Sequence, residues 1–407
     1  MTETIMLVGA GVMGRGYIDA ARAMGLRIVL LDDPERRTTY EDLVDHFVEP
    51  GGRTEAHWLG AALQAAGDHW PHGIVSFNEP HVLAAAWVQT RGQLPGPSLM
   101  AADASRNKAM QRILFGHAGL TQPEFGVVAT VDDAIAWSRG RYPVVVKPLR
   151  GMGSAGVRSV ADEPALLADL AQRDVEQQLL VEEYIDAPEY SWEALVQDGE
   201  VKFGNYTRKV TSGPREFVEL QHQLPWRGGL DTERLDREMA AAVAAVGVRS
   251  SLVHLEFRDD GSTMHPMEIA VRTPGDNIME LLNVAYDHDF FRSVLELSLG
   301  RPVGTPTAAL RSAGIVYVTA PGPGRLEAVH GLDKAAARSD VLRVGQRKAL
   351  GDDIAGLHSS GDRVAHVVLS IAGEADLASA MDEVRRMIDV RVVAPEQVFA
   401  TTSDEAP

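Results

Sequence analysis

The stretch Tyr142-Pro143-Val144-Val145-Val146-Lys147-Pro148-Leu149-Arg150-Gly151-Met152-Gly153-Ser154-Ala155-Gly156-Val157 decides how the chain is read. Its first half is an apolar strand that ends in a cation. A lysine on a strand that otherwise reads as buried carries a heavy desolvation cost unless an anion meets it, so Lys147 requires a partner. The second half is a glycine-rich loop whose backbone N–H groups can fold over phosphates. A plain hairpin turn beside a surface lysine is the alternative for this stretch taken alone.

Further along, strands over 251–258 and 263–271 form a predicted hairpin around Asp259-Asp260-Gly261-Ser262. Glu256 and Glu268 stand on its two arms. A two-residue turn puts them on opposite faces, whereas a three-residue turn, or a bulge at His265-Pro266, puts both on one face with His254. Two carboxylates about 4 Å apart repel by roughly 4 kcal/mol at an effective dielectric near 20, so neighbours on one face imply a shared cation. Magnesium suits them, as a hard ion that takes carboxylates plus substrate phosphates; Mn2+ is the alternative ion. Arg272, beyond Glu268, is placed to bind phosphoryl oxygens or a developing tetrahedral oxyanion. Either glutamate alone reads as an exposed acid on a solvated hairpin.

Outward from these stretches, the first hundred residues alternate short apolar runs with helical patterns, which is a parallel α/β signal. Strands are expected at 5–8, 27–31 and 73–77, with helices over 13–24 and 81–88, before Leu94-Pro95-Gly96-Pro97 breaks the pattern. A helix is expected from Asp103 through Met110 and Leu114, then strands at 127–129, 142–147, 179–185, 190–196 and 201–203, and a helix over 232–246. Late strands at 314–319 and 364–370 flank a helix over 376–388 as a small α/β cap, and 401–407 reads as a loose tail. The domains so drawn are 1–100, a middle domain 101–302 with a small lid at about 125–187, and a cap at 303–407. At 407 residues the chain has room for about three units of roughly 150 residues.

Composition excludes several classes of function. Lys and Arg total 39 against 57 Asp and Glu, and a formal net charge of −18 repels a phosphate backbone, so nucleic acid is not expected as a partner. The N-terminus shows no export signal and no apolar run approaches the roughly 18 residues of a membrane helix. Zero cysteines remove disulfides, thiolate metal sites and cysteine nucleophiles, which fits a soluble cytoplasmic enzyme relying on oxygen chemistry.

One motif points elsewhere. Gly9-Ala10-Gly11-Val12-Met13-Gly14 follows a strand and opens a helix, and the next strand ends in Asp32, which together make the dinucleotide fingerprint of a dehydrogenase. The same glycines also serve tight strand-to-helix packing in any doubly wound domain, with or without a nucleotide.

With the order and spacing of these motifs in hand, the segment from about Asn107 to Leu299 resembles an ATP-grasp domain of the carboxylate-amine ligase and biotin carboxylase kind. The resemblance implies an α/β ATP-grasp fold with an N-terminal Rossmann-like, nucleotide-free domain and a C-terminal cap. It implies that Lys108 and Lys147 contact the phosphates of ATP and that the 150–157 loop, with Gly153, Ser154 and Ala155, is the phosphate lid. Glu182, Glu183 and Ile185 become the hinge strand at the adenine, through the backbone of Glu183 and Ile185, and Glu189 takes the ribose hydroxyls. Glu256 and Glu268 match the ligands of one or two Mg2+ ions, and Arg272 the arginine that steadies an acyl-phosphate. One departure stands out: the family usually reads Glu-x-Asn-x-Arg where this chain has Glu268-Ile269-Ala270-Val271-Arg272. Alanine cannot ligate, so water or Asn277 is expected to fill the gap.

Within that family, Phe217-Val218-Glu219-Leu220-Gln221-His222-Gln223-Leu224-Pro225 resembles a substrate stretch of the bacterial L-amino acid ligases, as do Gly314 to Val318 and Pro321 to Arg325 in the cap. The resemblance puts His222 near the acyl-phosphate or the incoming amine and Glu219 at its ammonium; an ordinary surface histidine is the plainer alternative. The expected partners are a small carboxylic acid and an amine, both amino-acid-like, with a homodimer implied by the family. Rival expectations are a carboxylase or purine-pathway relative using bicarbonate or formate, an NAD-dependent dehydrogenase, and a regulatory protein without catalysis. Asp276 is expected either to favour a cationic substrate group or to sit in a solvated turn.

Overall fold

The computed structural model describes residues 2–173, 178–213 and 216–393; the expected tail at 401–407 lies outside the described residues. The N-terminal sheet has four parallel strands in the order His46–Val48, Arg27–Leu31, Thr4–Val8, Gly73–Ser76. Strand alternation sorts its core into two. Ile5 and Leu7 face a cluster with Tyr17 and Ile18 of the helix Gly14–Ala23, while Met6 and Val8 face Trp58, Ala62 and Ala85 of the helices Glu55–Asp68 and Glu79–Gly92. Helices therefore cover both faces, as a parallel sheet requires.

The helix expected from Asp103 through Leu114 is in fact two, Leu99–Ala104 and Lys108–His117. Asn107 leaves helical geometry, and its side chain accepts from Ala109 N and Met110 N, so it starts a new helix rather than continuing the old one. The restart places Lys108 at a helix N-terminus and Arg112 one turn later on the same side.

Two antiparallel sheets follow. A small one runs Phe125–Val128, Leu179–Glu183, Val144–Pro148, Arg158–Val160. The helices Val131–Ser138 and Glu163–Leu170 give it a core of its own, including Val144, Val146, Leu166 and Val181. The large sheet has eight strands in the order Met264–Ala270, Ser251–Asp259, Glu189–Gln197, Glu200–Thr211, Glu219–Leu224, Ser312–Val318, Ala365–Ile371, Val341–Gln346. Its last three strands come from the C-terminal region, so the strands of the expected α/β cap continue the central sheet, with the helix Glu374–Met387 packed beneath them through Leu377, Met381 and Val384. A further three-stranded sheet, Asp353–Ile354, Gly324–His330 and Asp389–Val393, completes that end. Among the described residues no helix is long and apolar enough to cross a membrane.

Candidate active site

The residues assigned from the sequence to catalysis, to ATP and to the metal line one cavity of about 510 Å³ between the small and large sheets, whereas Asn277 and the N-terminal Gly9, Gly11 and Asp32 do not. The strand Val144–Pro148 delivers Lys147 to its floor, and the expected anion is Glu182, on the neighbouring strand, at 2.5 Å. Arg112 meets the other oxygen of Glu182 at 2.5 Å and donates to the carbonyls of Pro266 and Met267, tying the helix, the small sheet and the acidic hairpin together. Burial lowers the Lys147 ammonium, and Glu182 pulls the other way without restoring it. For Glu182, burial raises the carboxyl but Arg112 and Lys147 outweigh it, so the net direction is down. Glu182 was expected at the adenine hinge; its side chain is 2% exposed and fully engaged by these two cations.

The acidic hairpin settles the question of register. Glu256 lies directly opposite Glu268, and the ladder shifts between Glu256 and Phe257, where Phe257 pairs with Pro266. The extra residue is thus Met267, one position beyond the bulge expected at His265-Pro266, and it brings both glutamates to one face with His254. Each carboxylate has a cation beside it: Lys108 lies 3.1 Å from Glu268, and Lys209 lies 2.7 Å from Glu256. Burial raises the Glu256 carboxyl, but Lys209 and His254 drive it well below the usual range. His254 bridges Glu256 and the buried Glu193; burial opposes its protonation, yet the two carboxylates lift it to about 9.

These oxygens suit a hard divalent ion. Among the described residues no group of three or more His, Asp or Glu side chains forms a ready metal cage. Two neighbouring carboxylates left partly open to a cavity match an ion such as magnesium, which keeps waters and takes substrate phosphate oxygens for the rest of its shell. Asn277 is not among the residues lining the cavity. It starts the helix Ile278–Tyr286 in the left-handed region, so the expectation that it replaces the missing asparagine at Ala270 is not met.

Several residues of the site escaped notice in the sequence. Lys209 is a cation buried among Glu189, Glu219 and Glu256, at 3.1, 3.3 and 2.7 Å. Burial works against its charge, but the three acids raise it well above the lysine range. Its signal was alternation: Asn205, Thr207 and Lys209 share a sheet face with Glu189, Ser191 and Glu193, and with His254 and Glu256. Arg258 holds the other oxygen of Glu189, donates to the Ile185 carbonyl and lies over the rings of Tyr184 and Phe217. The Glu183 amide donates to the Glu124 carbonyl. Arg272 pairs with Glu79, at the first turn of a helix in the N-terminal domain, and donates to the Thr273 carbonyl.

At the far end, His222 donates or accepts through Nε2 at 3.0 Å from Asp276, and its Nδ1 has no partner among the described residues. Asp276 is gripped by Arg363 with two bonds, so it is neither a free anion for a cationic substrate nor part of a solvated turn. Burial raises its carboxyl, but His222 and Arg363 hold it far below the usual range. Arg363 also donates to the carbonyls of Ser360 and Glu219 and stacks 3.7 Å from the centre of the Tyr317 ring. Glu219 accepts from Ser360 Oγ at 2.8 Å.

Over the cavity lies the 150–157 loop. Its carbonyls are held from outside: Gly151 by Lys108, Gly153 by the Ser360 amide, Gly156 by Arg173. Among the described residues the Gly153 and Ser154 N–H groups have no acceptor. The N-terminal glycine motif is the opposite case. Asp32, 2% exposed, accepts from the Gly11 amide at 2.8 Å; Tyr40 and Asn78 donate to the Gly11 and Gly9 carbonyls. The acid of the fingerprint thus caps its own loop instead of reaching toward a ribose.

Residues 140–280 match the model of the ATP-grasp domain. The chain therefore carries an ATP-grasp domain, and what it resembles are ligases of the ADP-forming, carbon–nitrogen bond-forming class. Residues 316–393 match the L-amino acid ligase C-terminal domain 2, so within that class it resembles the L-amino acid ligases. Its fold is that of the L-amino acid ligase from Bacillus licheniformis, with a TM-score of 0.84 at 22% identity over 96% of this chain and 99% of that one. The protein y4rH of Sinorhizobium fredii is 25% identical over 385 residues, 89% of this chain and 77% of the other. The carbamoyl phosphate synthase large chain of Micrococcus luteus is 25% identical over 338 residues, but this chain spans 30% of its length.

Proposed function

We propose that this ligase activates a small carboxylic acid as an acyl-phosphate with ATP and joins it to an amine, both substrates being amino-acid-like, in the cytoplasm. The observation that carries the proposal is convergence: Lys108, Lys147, the Glu256 and Glu268 pair, and Arg272 reach one cavity from separate segments, beneath a loop whose Gly153 and Ser154 N–H groups have no acceptor among the described residues.

In the first step a carboxylate oxygen of the acyl donor attacks the γ-phosphorus in line. A new P–O bond forms as the bond to the β,γ-bridging oxygen breaks and ADP leaves. In the second, the amine nitrogen attacks the acyl carbon, the C–O bond to phosphate breaks, and inorganic phosphate and a proton depart. Lys108 and Lys147 supply positive charge beside the phosphates. Glu256 and Glu268 would hold magnesium, which neutralises phosphate charge when bound. The lid amides cover the phosphates, Arg272 steadies the acyl-phosphate oxygens, and Glu219 and His222 lie where the amine enters. Catalysis here is mainly positioning and charge neutralisation.

The test is a screen of amino-acid pairs for ATP-dependent phosphate release, with mass detection of products and with bicarbonate and formate included as acids. An amide product from a pair of amino acids is the expected result. Phosphate release only with bicarbonate or formate would replace this reading with a carboxylase or purine-type one.

A further inference from the structure

Among the described residues six cationic side chains line the cavity: Lys108, Lys147, Lys209, Arg258, Arg272 and Arg347. Five are already paired, with Glu268, Glu182, the three acids around Lys209, Glu189 and Glu79 in turn. Arg347 is the exception: among the described residues its guanidinium is in no ion pair. The nearby acids cannot serve it, because Asp276 is held by Arg363 and Glu219 by Lys209 and Ser360.

Its position is defined nonetheless. The Arg347 amide donates to the Val364 carbonyl at 2.7 Å, which fixes the backbone, and its guanidinium lies 6.0 Å from the centre of the Tyr317 ring. The same ring carries Arg363 and lies edge-on to His222, with 6.2 Å between ring centres. Arg347 therefore belongs to the His222 end of the cavity, where the amine enters. The side chain is exposed at the cavity wall without a carboxylate partner among the described residues, so it is open to an anion brought by a ligand. Its planar fork matches a carboxylate in particular.

The carboxylate of the acyl donor is consumed at the phosphate. An amino-acid acceptor has a second, spectator carboxylate that must enter a cavity lined by glutamates and needs a counter-charge there. Resting on the ligase reading above, we propose that Arg347 anchors this spectator carboxylate and so sets how tightly an amino-acid acceptor is held.

The experiment takes an acceptor amino acid found in the screen and its carboxamide, and measures KM for each with the full-length enzyme, Arg347→Ala and Arg347→Lys. Arg347→Ala should raise KM for the amino acid about tenfold to hundredfold. It should leave KM for the carboxamide, for the acyl donor and for ATP within about twofold, and Arg347→Lys should recover part of the loss. Equal effects on amino acid and carboxamide overturn the proposal, as does a shift in the KM of the acyl donor; amide formation in the parent enzyme would leave the ligase reading standing in both cases. Absence of product from every pair sinks the ligase reading itself, and the proposal with it.

Discussion

The molecule contains two glycine-rich loops that look alike in sequence and differ in what satisfies them. In the loop at Gly9 to Gly14, the protein itself occupies the backbone: the Leu31 carbonyl and the Asp32 carboxylate accept from the Gly9 and Gly11 amides, Asn78 and Tyr40 donate to the Gly9 and Gly11 carbonyls, and the His81 ring fills the space beside Gly9. In the loop at Gly151 to Gly156, the carbonyls are held, and among the described residues nothing accepts from the Gly153 and Ser154 amides above a charged cavity. The glycine pattern reports only that the backbone must bend or be approached closely. Whether a ligand makes that approach depends on whether a side chain has already done so.

Five substitutions test that contrast, beginning with the largest expected effect. Glu182→Gln leaves Lys147 and Arg112 buried without their shared carboxylate, and should cost about 3–5 kcal/mol in chemical denaturation. If stability is unchanged, the charged floor beneath the second loop is not what organises it. Next, a Cβ at Gly9 would sit 1.6 Å from His81 Nδ1 at a φ of +72°, so Gly9→Ala should cost about 2–5 kcal/mol of stability. At Gly153 the φ is +63° but the nearest neighbour is Ser360 Cβ at 3.7 Å, so Gly153→Ala should cost about 1–2 kcal/mol and act on the KM for ATP instead. Equal stability losses at the two glycines would erase the distinction between the loops.

Arg272→Lys keeps a charge against Glu79 but loses the planar fork, and should lower kcat by about 10²-fold with little change in nucleotide affinity measured by titration. A loss confined to ATP binding would move Arg272 out of the chemical step. The smallest effect is pH-dependent. Burial holds His81 down to about 4, below its ordinary value near 6.5, so the folded state resists protonating it. Its contribution to stability is complete above the unfolded value and is lost as pH falls from about 6.5 toward 4. The thermal midpoint should decline over that window, and His81→Gln should flatten the decline; an unchanged profile would show that His81 does not seal the first loop.

Much of this architecture was legible along the chain. The strands at 27–31 and the helix at 232–246 follow from uninterrupted periodicity, and Arg27–Leu31 and Thr232–Val246 are the observed spans. The polar strand Glu219–Leu224 was not recognised, because its inward positions carry Glu219 and His222, and a functional face destroys the apolar alternation that marks a strand. Likewise the helix break at Asn107 was missed, since a capping side chain acts on amides that periodicity does not see.

The sequence alone determined which residue types the site would use: a strand-end lysine, a glycine loop, two acids on a hairpin and an arginine beyond them. Those features depend on local order and spacing. Only the tertiary structure decided that the ladder shifts at Met267 to align the two acids, that Lys209 and Arg363 already neutralise Glu219 and Asp276, and that Asp32 closes the first glycine loop while the second stays open. Each of these turns on a partner far away in the chain, and the energy of a buried charge or amide is set by the partner it meets, not by its neighbours in sequence.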